Sequence, residues 1–370
     1  MFNFSNKNLI AYNKMLCFNL QYQKLYSAVK IPASVLINRI DSVGDVVLAL
    51  PVAGMLKRNF PGIKVGLLAS SYTKAIADAC VHIDEFVDVE DYIKGEVFIC
   101  GKKPAAILHL VTNEHMSRRA KELDIPLRIG TMSRLYHWRN CNKLLWLSRR
   151  GSQMHDARAN LSLLRAFGIN KHFSFDEIAS LYGLEKLQPL DEKYKNLLQP
   201  QKVNVVMHPK SQGNAREWPI RHFIDLINLL DPHQYNVLVS GVASEKAFID
   251  EIEVGAKRPI VNLAGQISLG QFISFIKAAD VMICNSTGPL HLAAALGKHA
   301  FGIYPALTHR NPVRWAPIGK NARVFVLQDD CKECETTPNR CRCIAAIQPI
   351  EIKAALDELK VNKTFYTLAS

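Results

Sequence analysis

Short apolar runs alternate with amphipathic stretches along nearly the whole chain, and the series occurs twice. Ser34 to Ile40 (SVLINRI), Lys64 to Ser70 (KVGLLAS), Glu85 to Val89 and Ala105 to Leu110 read as strands. Val46 to Phe60, stopped by Pro61-Gly62, and Thr73 to Cys80 read as helices between them. After a polar stretch near 187–202 the series restarts. Val203 to His208, Asn236 to Ser240, Ile260 to Leu263, Val281 to Asn285, Ala300 to Tyr304 and Val324 to Leu327 are its strands. Ile220 to Leu230, a segment from Ser244, Leu269 to Ala279, Gly288 to Leu296 and Ile350 to Leu359 are its helices. Strands this uniformly apolar are buried on both faces, as parallel strands covered by helices are. The expectation is an α/β chain of two doubly wound domains joined near residue 195. Ligands of such sheets bind beyond the carboxyl ends of the strands, here in the cleft between the two halves.

A chain of 370 residues suits about two domains and buries a core without disulfides. The expected divisions are an extension over 1–30, α/β domains over 31–195 and 196–345, and a C-terminal helix and tail over 346–370. The extension carries Lys7, Lys14, Lys24 and Lys30 between short apolar pieces and has no cleavage pattern, so no signal peptide is read. No apolar run approaches the ~18 residues of a membrane span. With no export signal, the reducing cytoplasm is expected and Cys284 reads as a small core residue. Cys331, Cys334, Cys341 and Cys343 are close enough to hold zinc, but the single residue between the last two fits a tetrahedral site poorly, so no metal is expected.

Charge adds a constraint. The chain has 46 Lys+Arg against 33 Asp+Glu, a formal +13, which calls for an anionic partner: nucleic acid, an anionic lipid surface or a phosphorylated substrate. The excess concentrates in residues 1–195, with 27 basic and 18 acidic side chains. Its densest run, 118–165, includes Arg118, Arg119, Arg149 and Arg150, with Tyr136, Trp138 and Trp146 interleaved. Basic-aromatic mixtures suit single-stranded nucleic acid or a phosphorylated glycolipid at a membrane interface. No nucleic-acid-binding motif accompanies the charge, so nucleic acid is not the expected partner.

Four segments after strands carry chemistry. Asp41-Ser42-Val43-Gly44-Asp45 opens a helix; Gly44 permits close backbone approach, and Asp45 is either a helix cap or a general base facing the cleft. The long polar loop 208–219 holds Lys210, Ser211 and Arg216, whose cations either neutralise a phosphate or lie on a solvated surface. Ser286, Thr287 and Gly288 sit where a strand runs straight into a helix, a ready anion site, with His291 one turn further on. Glu245, after Gly241-Val242, is placed either to bind a ribose hydroxyl or to cap a helix.

In order, "DSVGDVVLALP", "HLVTNEHMSRRAKELDIPLRIGT", "HPKSQGNAREWP", "GVASE", "NSTGPLHLAAALG" and "FGIYPALTHRNPVRWAPIG" resemble the lipopolysaccharide heptosyltransferases, the family 9 glycosyltransferases. The resemblance runs from about Ser34 to Leu359. It implies a GT-B fold, two Rossmann-like domains facing an interdomain cleft, and an inverting, metal-independent transfer without a cofactor. The donor would be a nucleotide sugar, foremost ADP-L-glycero-D-manno-heptose, and the acceptor the phosphorylated inner core of lipopolysaccharide, on Kdo-bearing lipid A or an extended core. Asp45 would be the base. Ser211, Arg216, Glu245, Ser286, Thr287, Gly288 and His291 would bind the donor; Ser42, Gly44, Arg118, Arg119, Arg149 and Arg150 would serve the acceptor. The resemblance also implies a monomer peripheral to the cytoplasmic face of the bacterial inner membrane. Many members carry Asp where Ser286 stands, which leaves another sugar as the alternative; a non-catalytic nucleotide-sugar binder is a further alternative, against which Asp45 speaks. Relatives often carry Lys where Arg216 stands.

Overall fold

The computed structural model describes residues 31–147, 153–211, 213, 215–307, 312–327, 331 and 342–367, with side chains described as far as 359. The 1–30 extension, Arg149, Arg150, Cys334 and Cys341 lie outside the described residues.

Twelve strands are described. The first six are β1 (Ser34–Asn38), β2 (Lys64–Ala69), β3 (Glu85–Asp88), β4 (Ala106–His109), β5 (Leu127–Thr131) and β6 (Lys143–Leu145). The second six are β7 (Val203–His208), β8 (Tyr235–Val239), β9 (Val261–Asn262), β10 (Val281–Asn285), β11 (His299–Ile303) and β12 (Ala322–Phe325). They form two six-stranded sheets, β3-β2-β1-β4-β5-β6 and β12-β11-β10-β7-β8-β9. Every pairing is parallel. Read from β9, the second sheet has the same doubly wound order as the first. Each therefore reverses direction at its centre, between β1 and β4 and between β7 and β10, where crevices open beyond the strand ends.

The central strands are apolar because helices cover both their faces. Every residue of β1, β8 and β10 is buried. One apolar cluster joins the halves: Val35, Ile37 and Leu67 of the first sheet belong to the same core as Val206, Leu238 and Met282 of the second. Separate clusters line the outer faces, around Leu36, Leu68 and Ile107 in the first half and Val205, Val237 and Ile283 in the second. Cys284 is fully buried, its thiol pushed up to about 12 by burial, and is a core residue as expected.

Three expectations change. The helix read over Val46 to Phe60 is two, Val43–Val47 and Leu50–Asn59, because Pro51 cannot continue the first and sits in the opening turn of the second. Ser42, not Asp45, is the N-cap of the first; Asp45 stands three residues on and turns back onto Ser42. β5 and β6 were not legible as strands, since the chain there is interrupted by Arg128, Arg134 and Arg139 and β6 is only three residues long. The C-terminal helix runs Pro349–Thr367 and seats Ile352, Ala355 and Leu356 in the outer core of the second half.

Candidate active site

A cavity of about 860 Å³ opens where the carboxyl ends of the two sheets face each other. One wall is the β1 loop, residues 40–45, with Tyr72; the other comes from the loops after β7, β8 and β10. The two walls meet at glycines. A Cβ on Gly288 would lie 2.6 Å from Val43 Cγ1, and one on Gly44 would lie 2.9 Å from His291 Cδ2. The helices Val43–Val47 and Gly288–Ala295 cross here with no room for a side chain on either glycine.

Asp45 is fixed through both carboxylate oxygens. Oδ2 accepts from Ser42 Oγ at 2.7 Å, and Oδ1 is paired with Arg39 Nη2. Arg39, at the end of β1, has a side chain only 4% exposed and also pairs with Asp41 and Asp156, each at 3.2 Å. Burial alone would lower its affinity for a proton, but Asp156, Asp45 and Asp41 outweigh that and raise it. The guanidinium therefore stays charged.

On the opposite wall, Thr287 is the N-cap of Gly288–Ala295 but makes no side-chain cap. Ser286, Thr287, Gly288 and Pro289 line the cavity, so the positive helix end faces it. Asn285 braces the β7 loop, donating to Pro209 O at 2.7 Å and accepting from Trp218 N at 2.8 Å. Arg216 and Lys210 both line the cavity, but Lys210 Nζ is 2.5 Å from Glu217 Oε2. Glu217 Oε1 also receives the Ser211 backbone N–H at 3.0 Å, with Ser211 Oγ at 2.9 Å, so Ser211 is spent on holding the loop. His291 is buried and His208 half-buried in the cavity wall, and desolvation lowers both to about 4. At neutral pH they offer hydrogen bonds but no positive charge. Ile267, Leu269 and Phe272 make the cavity apolar beside His208.

A model of glycosyltransferase family 9 (heptosyltransferase) matches residues 148–345, more than half of the chain. The chain belongs to glycosyltransferase family 9. Among curated relatives, the Haemophilus influenzae lipopolysaccharide core heptosyltransferase OpsX is 23% identical over 81% of this chain and 86% of its own. The Escherichia coli lipopolysaccharide heptosyltransferase 3 is 24% identical over 87% of this chain and 97% of its own. The solved structure of E. coli ADP-heptose LPS heptosyltransferase II superposes with a TM-score of 0.70 at 18% identity, covering 90% of this chain and 99% of that one. That likeness shows the GT-B fold.

Within this family 9 chain, Ser42, Gly44, Asp45, Ser211, Arg216, Ser286, Thr287, Gly288 and His291 all line one cavity. Glu245 does not. Its Oε2 accepts from Val242 N at 2.9 Å, the capping alternative, while Oε1 has no partner among the described residues. Burial raises its carboxyl, against the lowering by the Val242 N–H and Lys210. Arg118 and Arg119 lie on the helix Glu114–Glu122, away from the cavity lining, and both pair with Glu122. No cluster of three or more His, Cys, Asp or Glu suited to a metal occurs among the described residues. Cys343 is buried, with Sγ accepting from Ala306 N at 3.4 Å. Sequence reasoning missed Arg39, Asp156 and Glu217. Arg39 left a signal: a charged residue at the end of an apolar strand must find partners, and Asp41 and Asp45 follow at once.

Proposed function

We propose that this family 9 glycosyltransferase moves L-glycero-D-manno-heptose from ADP-heptose to the phosphorylated inner core of lipopolysaccharide, with inversion and without a metal or cofactor. The observation that carries the reading is the placement of Asp45 across one cavity from the open end of the Gly288–Ala295 helix. The acceptor hydroxyl attacks the anomeric carbon from the face opposite the diphosphate. Its oxygen forms the new bond, its proton passes to Asp45, and the bond to the diphosphate oxygen breaks. The transition state is oxocarbenium-like. Charge growing on the departing diphosphate meets the helix end at Ser286, Thr287 and Gly288, with Arg216 adding a full positive charge. His208, Phe272 and Leu269 suit the flat, apolar base of a nucleoside. The relatives' names supply the donor and acceptor class.

The protein would act as a monomer against the cytoplasmic face of the inner membrane, reaching a phosphorylated glycolipid through its basic first half, Arg118 and Arg119 included. No helix among the described residues is long and apolar enough to cross a membrane. The test is a panel of ADP-, UDP- and GDP-sugars scored for protection against thermal unfolding, followed by transfer to Kdo-lipid A. Protection by ADP-heptose with product formed supports the reading. Preference for another nucleotide sugar overturns the heptose assignment, and binding without turnover overturns the enzymatic one.

A further inference from the structure

We propose that Arg39 is a positioning residue of the transfer reaction, a buried clamp that aims the Asp45 carboxylate at the acceptor. The inference rests on Asp45 being the base. Arg39 does not line the cavity, so whatever it does for the reaction passes through the group it holds. It holds Asp45 Oδ1 while Ser42 holds Oδ2, which fixes the plane of the carboxylate. The guanidinium is itself held from behind. Asp156 Oδ2 receives Nη2 at 3.2 Å, and Asn160 Oδ1 receives Nη1 at 3.4 Å. Asp156 is only 1% exposed, and Asn160 Nδ2 donates to it at 3.3 Å and to Leu48 O at 3.2 Å. The clamp is thus anchored to the segment that directly follows the Asp45 helix.

Charge supplies the second argument. Three carboxylates, Asp41, Asp45 and Asp156, converge on one cation. Without Arg39 the three carboxylates would repel one another and Asp45 would turn away from the direction in which the clamp holds it. Tyr72 and His291, on the two walls of the cavity, and His155, beside Asp156, also sense this charge. The clamp also touches the donor half: His155, next to Asp156, donates from Nε2 to Ala316 O at 2.9 Å.

The test compares Arg39→Met, Arg39→Lys, Asp156→Asn and Asp45→Asn, with and without Arg39→Met, by ADP release from ADP-heptose in the presence of Kdo-lipid A. Arg39→Met is expected to lower kcat about 100-fold with both KM values within about 3-fold, the signature of a lost transition-state contribution. Arg39→Lys should restore at least about ten-fold of the lost kcat. In the Asp45→Asn background Arg39→Met should cost nothing further, because the group it positions is gone. Should Arg39→Met not fold, Asp156→Asn takes its place, with kcat expected to fall about ten-fold at unchanged KM. The inference is overturned if Arg39→Met, or Asp156→Asn standing in for it, keeps kcat within about 3-fold of wild type. An equal loss in the Asp45→Asn background overturns it too. Full turnover by Asp45→Asn, or no ADP release by the wild type, instead overturns the proposed function on which it rests.

Discussion

Asp45 sits with one face toward the cavity and both oxygens tied to its own half of the protein, so its removal should separate binding from chemistry. Asp45→Ala is expected to lower turnover by about 10²–10⁴-fold, the usual contribution of a general base. Donor protection against thermal unfolding should persist, because the donor's contacts lie on the other wall; loss of that protection would mean Asp45 contacts the donor. Three histidines that the fold holds neutral give a second expectation. His109, His208 and His291 are lowered to about 3, 4 and 4 by burial, whereas an unfolded chain protonates near 6.5. The unfolded state therefore takes up protons first as pH falls. Stability is complete above pH 6.5 and is lost on acidification from there toward pH 4 for His208 and His291 and toward pH 3 for His109. Urea unfolding at stepped pH should show that slope. His291→Gln should flatten it by up to about 1.4 kcal/mol per pH unit; an unchanged slope would mean the imidazole is not held neutral. Asp45 and His291 were legible because each follows a strand within a few residues. The Arg39–Asp156 pair was not, because 117 residues separate its members and no local pattern records so distant an ion pair.

Among elements, the crossing of Val43–Val47 with Gly288–Ala295 decides how closely the walls approach. Gly288→Ala would drive a methyl into Val43, a short branched side chain with little room to yield, and overpacking of this kind costs about 1–3 kcal/mol. The variant should lose that stability and also donor affinity, since Thr287 and Gly288 must shift. Gly62→Ala, whose Cβ would meet nothing within 4 Å, is the control that should leave both unchanged. Equal behaviour of the two variants in thermal unfolding would show that the crossing is not close-packed. Sequence reading recovered Gly288–Ala295 as an element, merged Val43–Val47 with the helix that follows it, and did not show their contact. Parallel strands announce themselves as apolar runs, whereas a glycine in a loop motif looks the same whether it faces a ligand or another backbone. The segments from 114 to 162 were read least well. Glu114–Glu122 is short and charged on its outer face, Leu135–Asn140 buries His137 and Asn140 while exposing Leu135 and Trp138, and Asp156–Ser162 buries the acid Asp156, so none shows an ordinary apolar stripe in the sequence.

Over the whole molecule, charge and apolar exposure coincide at one edge of the first sheet. Beside the edge strand β6, Leu135 is 83% exposed, Trp138 55% and Trp146 73%, with Arg134 and Arg139 exposed among them. Indole rings suit the headgroup level of a bilayer, and each basic residue near an anionic surface adds about 1 kcal/mol of attraction. The formal +13 is therefore best tested as a membrane property. In co-sedimentation, the protein should bind vesicles containing anionic phospholipid and largely release neutral ones. Binding should weaken in high salt, where the Debye length contracts to about 3 Å at 1 M. Replacing Leu135, Trp138 and Trp146 together by Ser should reduce vesicle binding about ten-fold or more, given three exposed apolar anchors. Protection by nucleotide sugar should be untouched, because none of the three lines the cavity. Vesicle binding that survives the triple substitution would place the membrane contact on another face, and binding indifferent to both lipid charge and salt would detach the +13 from the membrane altogether.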